Sequence, residues 1–431
     1  MIVAGSGAAG QPGSGATPGR QAQTATGAGE FLVTVNVEDA SPATAAGDAS
    51  ALTLEVDAVP VQEMLLFPGS GVSSYRALVG PLPHGRHVVA VRPSRLWPPD
   101  TRISIRGVAV EPVSTGPDRD VYRFAPRIGL RTDTVGAMSD LPMHMYCERA
   151  DASLRYSLVF TNEDGGTASR PLMARWGRAV DIEFVYEAVV RDGRLISGTY
   201  QGPDHKMLPY RGPADPPLLN VVTLNNMFLD RGRARATVRP VPEVVDLTNA
   251  TRESVLDRQP WMYRVMAGEL KREGKLGTVV DDPRRYVYAE ARLALKDAVV
   301  AARAGLSDGT WRASHHGEIE LTINRDGWVR TAVPLAEARP DAVQAIAWEC
   351  LPIPGRASRG HCEIHAARAF TLGDDYIPGS NLVSATTLRL RAGEMGEVER
   401  GPRGQGQGAR AVSGLRGEDS AATAELMSAR H

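Results

Sequence analysis

The 431-residue sequence predicts a mainly β protein: two or three β-sandwich units, one helical insertion and disordered termini. Three observations predict it. From Glu30 onward, short runs of alternating apolar and polar residues recur at close spacing, divided by Gly, Pro, Ser and Asp, as in stacked antiparallel sheets. Helical periodicity is clear only within residues 246–284. At both ends the text becomes Gly-rich and loses apolar periodicity, so it cannot bury enough surface to offset the entropy of ordering.

Residues 1–29 form the first expected tail. IVAGSGAAG has the G-x-G-x-x-G spacing of a dinucleotide loop, but that loop needs a helix after its glycines, and Pro12 and Pro18 forbid one. No nucleotide cofactor is expected. Residues 30–120 read as a β-sandwich from FLVTVNVED, ALTLEVDAV, SSYRALVGPL, GRHVVAVRP and TRISIRGVAVEP. YRALVGPLPHGRHVVAVRP resembles the strand, Leu-Pro-x-Gly, strand hairpins of immunoglobulin-like and fibronectin-like modules, with His84 and His87 as surface residues of the turn.

Residues 121–245 read as a central sandwich. Its clearest hairpin starts at Asp181, with Ile182, Phe184, Tyr186, Ala188 and Val190 on one face and Asp181, Glu183 and Glu187 on the other. A three-residue loop, Arg191 to Gly193, pairs Ala188 with Ile196 and Phe184 with Tyr200, joining apolar to apolar; a one-residue slip would expose the whole face. Residues 246–284 form the helical linker, with Pro260 at a first helical position, Met262, Val265, Met266 and Leu270 on one face, and Gly274 as its stop. Residues 285–390 form a C-terminal β unit, with the Ala-rich run 289–304 read as strand and Arg325-Asp326-Gly327 as a second three-residue turn matching Ile323 to Val329 and Ile319 to Val333. Residues 391–431 are the second expected tail.

Composition excludes more than it assigns. Net charge is −1 and 45 of the 49 basic residues are Arg, offset by 50 acids, so no charge excess points to nucleic acid or an anionic membrane. No apolar run approaches a membrane-spanning length, and the N-terminus as written lacks the pattern of a signal peptide. Cys350 and Cys362 flank PIPGRASRG and could bridge across a hairpin in an oxidising compartment, which makes a secreted or cell-envelope location slightly favoured; Cys147 reads as a buried thiol. His315, His316, His361, Cys362 and His365 do not make a paired zinc spacing.

The expected chemistry lies in residues 154–230. In the hairpin register above, Asp181 and Glu183 share a face with Gln201, and His205 follows if the strand continues. Asp181 and His205 would then be diagonal neighbours. Two carboxylates and an imidazole could hold a divalent cation or share a proton, so Asp181, Glu183 and His205 are the candidate catalytic and metal-binding residues. The alternative is a solvated face neutralised by Arg175 and Arg178. Gln201, Asn225 and Asn226 are candidate ligand-binding residues, the two asparagines because amides inside an apolar strand need partners.

LRYSLVFTNEDGG followed by Asp181-Ile182-Glu183-Phe184 resembles the β-sandwich of necrosis-inducing cytolysins and vacuolar-sorting-associated sheet proteins. Their signature is Asp-Trp-Glu-His; here Ile182 stands for Trp, Phe184 for His, and Trp176-Gly177-Arg178 for the Gly-His-rich lead. The resemblance implies that Asp181 and Glu183 help hold a divalent cation. No nucleophile elbow, HExxH, EF-hand or phosphate loop is present. Three functions follow as expectations: a non-catalytic sandwich binding a glycan or protein partner, with Trp97, Trp176, Trp311 and Trp328 as stacking surfaces; a metal-dependent hydrolase or lyase acting on a glycan through the central hairpin; or a structural assembly component.

Overall fold

A computed structural model describes residues 19–39, 50–67, 71–98, 103–113, 116–137, 139–163, 165–213, 215–336, 339–355, 360–399 and 410–412. The protein is mainly β. Its described strands form four sheets, of nine, six, four and five strands. The chain divides into two compact units, one of residues 1–166 and 180–246, the other of residues 167–179 and 247–431.

In the first unit the nine-stranded sheet is built around two long strands, Gln21–Asp39 and Gly71–Pro93, paired antiparallel along almost their whole length. Their inward residues Val33, Val35, Val89 and Val91, with Leu54 from Ser50–Val56, are fully buried. Each such side chain contributes about 1.5–3 kcal/mol on burial. Two expectations are corrected here. Residues 21–29 are strand, and the Leu-Pro-x-Gly hairpin runs through as one strand. The physical cause is shared: Thr24 lies opposite Val88 and Gly27 opposite Gly85, so each segment supplies the ladder the other needs.

The expected boundary at residue 120 does not appear. Arg127–Gly129 and Thr237–Val238 join the same sheet, the latter beside Val59–Leu66, so residues from both expected sandwiches share one hydrogen-bonded layer. The other sheet runs in the order Met207–Pro209, Arg194–Gln201, Asp181–Arg191, Ser153–Phe160, Pro142–Ala150 and Glu243–Val245.

The central hairpin forms in a different register from the one expected. Arg191 pairs with Arg194, so the turn has two residues, Asp192 and Gly193, both left-handed at φ 50° and 67°. A bulge at Ile196 absorbs the extra residue and leaves it 58% exposed, while Tyr200 pairs with Tyr186 rather than Phe184. Gly198 explains the choice. A Cβ there would stand 2.5 Å from the Tyr186 hydroxyl, so the bulged register gives the buried ring the one position without a side chain. Phe184 and Tyr200 are both buried, as the alternating pattern required.

The second unit pairs a four-stranded sheet, in the order Gly327–Pro334, Tyr286–Lys296, His361–Phe370 and Thr386–Arg391, with a five-stranded one of Trp311–Ala313, Ala298–Leu306, Val343–Pro352, Glu394–Glu399 and Arg410–Val412. The Ala-rich run is strand, turning at Asp297. Two of its strands lie beyond residue 391, inside the expected tail; residues 1–18 and 413–431 lie outside the described residues. The turn at Arg325-Asp326-Gly327 is not a hairpin. Ile323 bridges Val300, Ile319–Leu321 is a 3-10 turn, and Gly327–Pro334 pairs with Tyr286–Lys296, so the segment crosses between sheets.

Trp261–Arg272 is the expected helix; Met262, Met266 and Leu270 are buried, and Gly274 follows its end at φ 69°. Ser169–Trp176, a helix not anticipated, leaves the first unit's sequence and packs on Gly327–Pro334, where Thr331 donates to the Ala174 carbonyl at 2.6 Å. It ends at Gly177, left-handed and so close to Arg330 that a Cβ would meet the arginine's Cγ at 2.7 Å.

Cys350 and Cys362 form a disulfide, but between the two sheets of this unit rather than across a hairpin, because the loop between Val343–Pro352 and His361–Phe370 changes sheets. With the cysteines 12 positions apart, cross-linking is worth about 3 kcal/mol in chain entropy. Reduction, or Cys362→Ala, is expected to lower the denaturant midpoint accordingly; an unchanged midpoint would show that the bond carries no stability. Cys147 is buried and free, and burial pushes its thiol up to about 12.

Glu349 shows how this unit responds to acid. Burial raises its pKa, but hydrogen bonds from His315 and from Arg303, at 3.3 and 2.6 Å, outweigh that and hold it below 4.5. A carboxylate with a lowered folded pKa stabilises above its unfolded value, and that stability is lost as pH falls through the folded one. Stability is therefore expected to decline below about pH 4.5, with Glu349→Gln flattening the decline. Parallel curves for the two proteins would refute the assignment.

Candidate functional site

The expected residues meet at one end of the six-stranded sheet, in two hydrogen-bonded halves. The inner half is buried. Asp181 opens the strand Asp181–Arg191, Asn162 follows the end of Ser153–Phe160, and Asp140 sits in the turn before Pro142–Ala150 with a left-handed backbone. The loop between Leu218–Val221 and Phe228–Leu229 carries Asn226 into their midst. Its amide nitrogen donates to Asp140 Oδ1 at 2.8 Å and to Asp181 Oδ2 at 3.0 Å. Carboxylates on two sides settle which amide atom is nitrogen. Arg131 completes the cluster, donating from Nη1 to Asp140 at 2.7 Å and to the Thr223 carbonyl at 2.9 Å. Asn162 Oδ1 accepts from the Asp140 backbone N–H at 2.6 Å.

The outer half meets solvent at His205, while Gln201 at its centre is buried. The strand Arg194–Gln201 stops at Gln201, and Pro203–His205 makes a 3-10 turn with Asp204 and His205 left-handed. His205 therefore leaves the strand, and the diagonal Asp181–His205 placement is replaced by another connection. Gln201 Nε2 donates to Glu183 at 2.5 Å and to Nδ1 of His205 at 3.0 Å; His205 Nε2 lies 3.1 Å from the Asn225 amide. All six expected residues are thus brought together, Asp181 with Asn226 and Glu183 with Gln201, His205 and Asn225.

The surroundings fix the protons. Gln201 must point its nitrogen at the Glu183 carboxylate, so Nδ1 of His205 accepts. A neutral imidazole then carries its proton on Nε2 and needs an acceptor there. Asn225 supplies one if its oxygen faces the ring. In the opposite orientation that oxygen is buried without a partner. It would also crowd the Glu163 carboxylate: both oxygens lie close to where a Cβ on Gly166 would stand, at 2.1 and 1.3 Å. Turning the amide lets its oxygen accept from His205, giving a continuous chain Asn225, His205, Gln201, Glu183.

This arrangement does not fit the divalent cation that the resemblance implies. Asp181 is 1% exposed and its carboxylate holds Asn226; both ring nitrogens of His205 are covered by amides. Among the described residues no group of three or more His, Cys, Asp or Glu is disposed to hold a metal. The solvated-face alternative is corrected for Asp181 by its burial; Arg178 pairs with Glu253 and Arg175 with Asn324. Sequence reasoning missed Asp140, Asn162, Arg131 and Glu163, whose only signal was their place in turn text. Of the tryptophans, Trp97 is buried, donating to the Ala137 carbonyl, and the Trp176 ring is in contact with the guanidinium groups of both Arg175 and Arg325.

Fold and site together define a mainly β protein of two sheet-built units, with a fixed polar cluster at a sheet end. No family model matches the chain, and no curated protein does. Among solved structures, a cycloisomaltooligosaccharide glucanotransferase of a Paenibacillus species, in complex with cycloisomaltoheptaose, is similar over 51% of this chain and 39% of its own, at 10% identity and a TM-score of 0.15. A likeness of that size carries no argument here. Among the described residues no helix is long and apolar enough to cross a membrane.

Proposed function

We propose that this chain is a non-catalytic binding protein whose ligand is a glycan, held on the surface made by Glu183, Gln201, His205 and Asn225. The observation that carries this is the capping of His205 on both ring nitrogens. A general base needs a free lone pair and a metal ligand needs an open nitrogen; this imidazole offers neither while Gln201 and Asn225 stay in place. What remains is a rigid set of amide and carboxylate groups, suited to sugar hydroxyls that both donate and accept. Met207, Leu224 and Val222, beside the cluster in sequence, are 51%, 53% and 41% exposed, and they would meet the C–H faces of a sugar ring.

A glycan array probed with the full chain and with His205→Ala tests the reading. One glycan class is expected to be retained by the parent and weakened about tenfold or more in the variant, with no new reducing ends on prolonged incubation. An empty array, undiminished binding by His205→Ala, or turnover of the retained glycan would each sink it.

A further inference from the structure

We propose that the first unit carries a second, separate binding site, a cavity of about 380 Å³ that takes an acidic sugar of the uronate class. Glu30, Arg119, Arg123 and Asp215 line it, with Pro81 and Val113 among its apolar walls. The volume suits one monosaccharide ring.

Its charges are arranged for a ligand with two kinds of group. Glu30 is 6% exposed, and its Oε2 accepts from Arg239 Nη1 at 2.5 Å. Arg239 has nothing left for the other oxygen. Its remaining N–H groups are taken by the carbonyls of Ala125, Gly80, Tyr122 and Arg123. Oε1 of Glu30 is accordingly buried without a partner, a state that favours the arrival of a donor. Burial raises the Glu30 pKa, while Arg239 opposes the rise. Asp215, half-exposed and 3.6 Å from Arg123, is a second acceptor.

The guanidinium groups ask for the opposite. Arg119 is exposed, and Arg123 spends one nitrogen on the Gly193 carbonyl and shares another with Asp215. Arg127, close enough to Glu30 and Arg239 to feel both, has a buried Nε without a partner. Arg119 and Arg123 line the cavity together with Glu30 and Asp215, and Arg127 and Arg239, near Glu30 but outside the lining, add positive charge, so the site favours an anion. A uronate places a carboxylate on the arginines, several hydroxyls toward Glu30 and Asp215, and a C–H face on Pro81 and Val113. A zwitterionic amino acid would satisfy the charges but concentrates its donors at one ammonium, leaving one of the two carboxylates unmet.

The site does not rest on the His205 surface, and calorimetric titration of the full chain separates the two. Sodium glucuronate or galacturonate is expected to give a saturable signal, with glucose, sodium acetate and glycine each about tenfold weaker or silent. Arg119→Ala, at an exposed position, is expected to weaken uronate binding about tenfold at an unchanged melting temperature, and Glu30→Gln to weaken it while preserving shape. His205→Ala is expected to bind the uronate as the parent does. Silence from both uronates, acetate or glycine binding as tightly as the sugar acid, or full binding by Arg119→Ala would overturn the proposal. Loss of uronate binding in His205→Ala alone would move the ligand to the other surface, ending this inference while leaving the glycan reading intact.

Discussion

Arg330→Met is expected to cost the second unit about 3–5 kcal/mol, the penalty for removing one partner of a buried ion pair. Arg330 has no exposed surface, and its guanidinium joins four elements. Nε and Nη2 donate to Glu290 on Tyr286–Lys296 at 2.8 and 2.6 Å; Nη2 and Nη1 donate to Asp257 on the helix Ser254–Arg258 at 2.6 and 3.1 Å; Nη1 also reaches the Tyr263 hydroxyl at 2.8 Å. Without it, Asp257 and Glu290 face each other with Arg368, 2.7 Å from Asp257 and partly exposed, as the remaining guanidinium in the cluster. Total stability of a domain is about 5–15 kcal/mol, so the loss is a large fraction, and the melting temperature should fall by on the order of 10 °C. Arg330→Lys keeps the charge but not the fork and should fall between. A calorimetric trace for Arg330→Met within a degree or two of the parent would show that the ion cluster carries little.

The second large effect is expected at Asn226. Removing its side chain takes the donor from between two fully buried carboxylates, Asp140 and Asp181. Each hydrogen bond to a charged group is worth about 1.5–3 kcal/mol, which puts Asn226→Ala at about 3–6 kcal/mol. Part of that comes from the backbone, which is left-handed at φ 49° and strained for alanine by about 1–2 kcal/mol. Asn226→Gly separates the two, since glycine relieves the backbone but restores no amide. Both variants should unfold at lower urea than the parent, with the glycine variant recovering only the backbone share. A near-normal Asn226→Gly would mean the carboxylates need no bridge. Asn226→Asp, a third carboxylate in the cluster, should be worse than either.

The pattern of Asp181–Arg191 was legible because period two needs only local information: an apolar face must be buried wherever the strand lands. The same logic covered the helix Trp261–Arg272 and the strand character of the Ala-rich run. Register was not legible, because it depended on Gly198 making room for a ring from another strand. Neither was the partner of Gly71–Pro93, since Gln21–Asp39 begins in text too poor in large apolar residues to look like strand alone. The six candidate side chains lie at one end of one sheet, but the bonds among them differ from those the strand register implies. Hydrogen-bond geometry came from loops, where backbone conformation is set by what packs against it.

By itself, then, the chain's text determined that the protein is built of sheets and that Asp181–Arg191 and Trp261–Arg272 bury an apolar face. Those follow from hydrophobic periodicity and turn chemistry, both properties of short stretches. Only the tertiary structure decided that two expected sandwiches share one nine-stranded layer, that the disulfide ties sheet to sheet, and that His205 is held on both sides by amides. Those are pairings between residues far apart in sequence, and no local pattern encodes which distant partner a free edge or an unpaired polar group will find.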